Sequence, residues 1–180
     1  MAISALDRAR GCMTAAGLFF QKGAEDISQA IELGLRTDDT PENIYETCMG
    51  RDSADKNVLA MTSLIIFFMV RDDLNVKKAV LSAWRIADKY DDPIIKELAD
   101  ALMAAGKSKS RGKYLAQLLM SKDLRENLEL AIYINTVKME DSFAAHLSEI
   151  KKLEQTNAKI IAAGFSGAFY GLKEVNAAQK

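Results

Sequence analysis

Residues 58–93 read VLAMTSLIIFFMVRDDLNVKKAVLSAWRIADKYDDP, and this stretch decides the fold class. Val58–Val70 is apolar apart from Thr62 and Ser63. It is too short to cross a bilayer, which takes about 20 apolar residues, and it suits a central helix buried on most sides. Val76, Ala79, Val80, Ala83, Trp84 and Ala87 then recur at the three- and four-residue spacing of one helix face. The stretch ends on Asp91-Asp92-Pro93, where Asp92 is expected to cap a further helix and Pro93 to open it.

Working outward, the same punctuation occurs upstream. Phe67-Phe68, Ala79-Val80, Arg85, Asp91-Asp92 and Pro93 have counterparts in Phe19-Phe20, Ala30-Ile31, Arg36, Asp38-Asp39 and Pro41, and these are the chain's 2 prolines. The duplication predicts a repeated helical unit, with residues 1–53 and 54–106 as internal repeats. The C-terminal part reads as a decayed third copy, in which Ala145 matches Ala30 and Ala79. Thr156-Asn157 stands there in place of the Asp pairs.

Helical spacing continues through most of the chain. Ile3, Leu6, Met13, Ala16 and Phe20 predict the inner face of a first helix, and Ile27, Ala30, Ile31, Gly34 and Leu35 that of a second. Thr40-Pro41-Glu42 predicts a capped start for a third helix that stops near Gly50. A sixth helix should run from Pro93 to Gly106. The KSKSRGK stretch, 107–113, breaks the pattern as a basic linker. Beyond it come a short helix at 114–120, another through Leu124–Val137, one after Ser142 and a last one after Thr156-Asn157. No stretch alternates with period two, so little or no strand is expected. The expectation is one compact all-α domain over 1–180, with about nine or ten helices in repeated hairpin or three-helix units and with 114–180 as the C-terminal helices.

Composition narrows the classes. The chain has 180 residues, 49% hydrophobic and 27% charged, with a net charge of -1. That balance predicts a soluble cytoplasmic protein and argues against nucleic-acid or membrane partners. Asp7, Arg8 and Arg10 interrupt any secretory h-region. Cys12 and Cys48 make no disulfide framework and read as small core residues.

Few residues invite chemistry. Asp38-Asp39, Asp72-Asp73 and Asp91-Asp92 could converge on a hard cation, but each precedes an expected helix, and capping is the favoured reading. The single histidine, His146, has no second His or Cys at ligand spacing, and a half-buried position is expected for it. Gly106-Lys107-Ser108 resembles the end of a phosphate-binding loop, yet the Gly required five positions earlier is Ala101. Lys107, Lys109, Arg111 and Lys113 form the most positive place on the chain and are the candidate interaction residues. No catalytic residue, metal ligand or cofactor is assigned.

Gly164, Gly167 and Gly171, with Ser166 and Ala168, give the last helix a small-residue side. Each glycine costs about 1 kcal/mol against alanine in a helix, so close approach of another helix must compensate. A helix of the same chain is the favoured neighbour; a second copy would make the protein a homo-oligomer.

The segment Ala163–Leu172, AGFSGAFYGL, resembles the final helix of ADP-ribosylglycohydrolases. Arg8-Ala9-Arg10-Gly11-Cys12 and Thr37-Asp38-Asp39-Thr40 are similar to that family's opening segments, in the same order. The resemblance implies an all-helical fold and two magnesium ions, held by an early Thr-Asp-Asp and a late Asp-x-Asp-Thr. Here the late region reads Glu154-Gln155-Thr156-Asn157, which lacks the second carboxylate pair. The reading preferred from the residues is therefore a non-catalytic protein that binds a macromolecule, most readily another protein, through helical surfaces, as an adaptor, chaperone, inhibitor or immunity protein does. The alternative is a degenerate hydrolase or ADP-ribose binder of the resembled type.

Overall fold

The computed structural model describes residues 3–93, 97, 119, 121–137 and 140–179, and every regular element among them with assigned bounds is a helix. There are eight such helices. They are α1 (Ala5–Gly17), α2 (Glu25–Gly34), α3 (Pro41–Met49), α4 (Lys56–Arg71), α5 (Val76–Asp88), α6 (Leu124–Val137), α7 (Phe143–Lys151) and α8 (Thr156–Ala177). The expected helices at 93–106 and 114–120, and the basic linker between them, fall largely or wholly outside the described residues.

Helix α4 is the hub. Every residue from Val58 to Val70 is buried, as the unbroken apolar run requires. Helices α2, α3 and α5 pack most extensively on it, and α8 and α1 also touch it. The two polar residues inside the run both find backbone acceptors. Thr62 donates to Val58 O at 2.9 Å, while Ser63 Oγ lies 2.8 Å from Ala30 O of α2 and 2.9 Å from Leu59 O. Gly34 permits this closeness of α2, because a Cβ there would stand 2.9 Å from the Ile66 Cβ.

Caps place several boundaries. Thr40, Asn75 and Ser142 each accept a hydrogen bond from the backbone N–H three residues on, opening α3, α5 and α7. Pro41 takes the first turn of α3, and Gly50 follows its last residue.

The two copies of the motif are placed differently in part. Phe67-Phe68 lies inside α4, buried, with the rings edge-to-face at 5.5 Å. Phe19-Phe20 lies beyond the end of α1, half-buried against the core. Ala30-Ile31 and Ala79-Val80 are alike in both copies, buried on α2 and α5. The principal neighbour of the first helix is α8, at the far end of the chain.

That pairing also corrects the expected inner face of α1 in part: Ala16 is buried as expected, but Leu6 is not. The buried side is Arg8, Gly11, Cys12, Ala15 and Ala16, whereas Leu6 is 61% exposed and Met13 only half-buried. Small residues face inward because α8 crosses very close. A Cβ on Gly167 would stand 2.7 Å from the Ala15 Cβ, and one on Gly11 2.7 Å from the Gly171 carbonyl carbon. Gly164 meets Cys12 and Ala16, and Gly171 meets Asp7, so the two helices run antiparallel. The small-residue side of α8 is thus covered by a helix of the same chain. Gly171 itself takes φ 79° and ψ 169° and kinks α8, a conformation open essentially to glycine alone. Thr156-Asn157, expected just before the last helix, forms the first turn of α8.

Candidate functional site

The sole histidine marks a polar joint between α6, α7 and α8. Asn135 of α6 donates through Nδ2 to Ala131 O at 2.9 Å and to Ala162 O at 3.1 Å, which orients its amide. Its Oδ1 is left as an acceptor, and Ser166 Oγ lies 2.7 Å from it and His146 Nε2 3.3 Å. Since Oδ1 accepts, Nε2 carries a proton in this arrangement. Ser166 Oγ is also 2.8 Å from Ala162 O, so its one hydrogen is shared between two acceptors. The Tyr170 ring packs 6.2 Å from the imidazole, and its hydroxyl donates to Glu140 O. Burial pushes the Tyr170 phenol above its ordinary pKa.

Serine and histidine therefore meet on an amide oxygen, not on each other, and both are fully buried. A nucleophile needs its base within hydrogen-bond reach and access for a substrate, and this joint holds three helices together instead. His146 is 0% exposed, not half-buried as expected. No motif in the sequence pairs Asn135 with Ser166. The available signal was an asparagine in the buried register of α6, one residue after Ile134.

The three Asp pairs do different work. Asp39 Oδ1 accepts from Thr40 N at 2.8 Å and from Asn43 Nδ2 at 3.0 Å, beside the Thr40 cap of α3. The Asn43 amide, then the Thr40 N–H, hold its carboxyl below the usual range. Helix-start punctuation is what that pair supplies. Asp72 instead ends α4 and pairs with Arg71, at 2.8 and 3.1 Å. Asp73, at φ 55°, pairs with the buried Arg8 of α1, and the next helix is capped by Asn75. Capping was expected of this pair, and ion pairing is what it does.

Asp92 also turns inward. It is 3% exposed, and its Oδ2 accepts from Tyr45 Oη of α3 at 2.8 Å and from Asn57 Nδ2 of α4 at 2.6 Å. Tyr90 stacks on Tyr45 with ring centres 4.4 Å apart and donates to Glu46 at 2.9 Å. Burial, then the Asp92 hydrogen bond, drive the Tyr45 phenol far up. The helix that Asp92 was expected to cap lies largely outside the described residues. Among the described residues, no group of three or more His, Cys, Asp or Glu is placed to hold a metal ion.

No family model matches the chain, and no curated protein or solved structure is significantly similar to it. The resemblance to ADP-ribosylglycohydrolases rests on the quoted residues alone. Of these, Thr37–Thr40 supplies a helix start, Arg8 an ion pair, and Gly11 and Gly167 a helix crossing.

One concave, mostly apolar patch lies on the surface beside α1. Ala9, Arg10, Met13 and Thr14 of α1, with Leu35 and Leu172, line an open groove of about 330 Å³. Leu6, one turn before Arg10, is exposed on the same helix. This is the large-residue side of α1, where Leu6 is exposed and Ala9 and Met13 are half-buried at the edge of the core. The sequence contained its signal, a Leu6–Met13 stripe, with the opposite assignment. Lys107, Lys109, Arg111 and Lys113 lie outside the described residues, and so does their relation to this groove. Among the described residues, no helix is long and apolar enough to cross a membrane.

Proposed function

We propose that the protein is a non-catalytic binding protein that presents a helical surface to a macromolecular partner, as an adaptor or inhibitor does. The observation that supports this is the double apolar character of α1. Its small side is used against α8, while Leu6, Ala9 and Met13 are carried on the other side, beside Leu35 and Leu172. An apolar helix face bordered by polar residues is the usual form of a docking surface, because covering it removes apolar area from water at about 25 cal/mol per Å². Arg10 at its edge offers a cation to the rim of a partner. The stretch carrying Lys107, Lys109, Arg111 and Lys113 enters this reading by sequence alone, as the place an acidic partner meets first.

The test is crosslinking and affinity capture from the source cell, with the unaltered chain and with Leu6→Glu and Met13→Asp variants whose melting is unchanged. A macromolecule recovered by the first and lost by the variants supports the reading. Recovery that ignores both substitutions removes α1 from it. Reproducible recovery of nothing under mild salt sinks it.

A further inference from the structure

We draw no further inference here: the strongest candidate, the open groove on the outer side of α1 lined by Ala9, Met13, Leu35 and Leu172, belongs to the surface already proposed for docking, and nothing in the structure shows what covers it.

Discussion

Gly11 and Gly167, far apart in the chain, face each other where α1 crosses α8, and a Cβ on either would collide with the other's backbone. Two glycines in mid-helix are unfavourable locally, by about 1 kcal/mol each against alanine. Their gain is contact: with no side chains between them the two backbones touch, and Cys12, Ala15 and Ala16 pack against Gly164 and Gly167.

Gly167→Ala is expected to lower stability by about 1–3 kcal/mol or more, because overpacking against backbone outweighs the better helix propensity. Gly17→Ala is the matched control. Nothing lies within 4 Å of a Cβ at Gly17, so alanine there should stabilise by about 0.4–1 kcal/mol. Urea unfolding of both variants checks the pair. Equal effects would mean that the helices do not cross at Gly167.

Removing the centre of the polar joint should cost more than removing its edge. Asn135→Ala removes the acceptor of His146 Nε2, worth about 1–3 kcal/mol in a buried site, and also its bonds with Ser166 and Ala162 O, which still hydrogen-bond each other. Ser166→Ala leaves the His146 contact to Oδ1 in place and should cost about 1 kcal/mol. The double variant should fall short of the sum, since both changes remove one shared bond. A strictly additive cycle would deny the Asn135–Ser166 bond.

Tyr45→Phe removes one of the two side-chain donors that Asp92 Oδ2 receives from α3 and α4. Destabilisation of about 1–3 kcal/mol is expected from the lost bond to a buried carboxylate. Tyr90→Phe, at an exposed bond to Glu46, should change stability by less than about 0.5 kcal/mol. Chemical denaturation of the two variants side by side tests the contrast.

Alkali should loosen the fold through Cys12. Burial pushes its thiol from 9.0 to about 12. A folded-state value above the unfolded one means a contribution fully present below pH 9 and lost as pH rises toward 12. The slope in that window is about 1.4 kcal/mol per pH unit for this group, with the raised Tyr45 adding to it above its ordinary value. Urea midpoints from pH 7 to 10.5 should fall above pH 9, and less steeply in Cys12→Ala. A thiol reagent should modify Cys12 only as the chain unfolds.

Much of the secondary structure was legible in the chain. Thr40-Pro41 and Ser142 open helices where their cap chemistry says, and Gly50 follows the end of α3 as expected. Val58–Val70 is buried throughout, because no helix that apolar has a side to spare for water. The roles of the Asp pairs were only partly legible. Asp39 works beside a cap through near neighbours, whereas Asp73 and Asp92 find Arg8, Tyr45 and Asn57 far away in the chain.

The sequence by itself determined that this is a helical protein built around one apolar helix, since caps, spacing and apolar runs act over a few residues. Tertiary structure alone decided which side of α1 is inside. Periodicity ranks Leu6 and Met13 above Gly11 and Ala15 as core, because it weighs hydrophobicity and ignores distance. Packing weighs both, and at the closeness that Gly167 allows, only the small side of α1 fits against α8. The larger apolar side is thereby left only partly covered, with Leu6 exposed, and the proposed function rests on it.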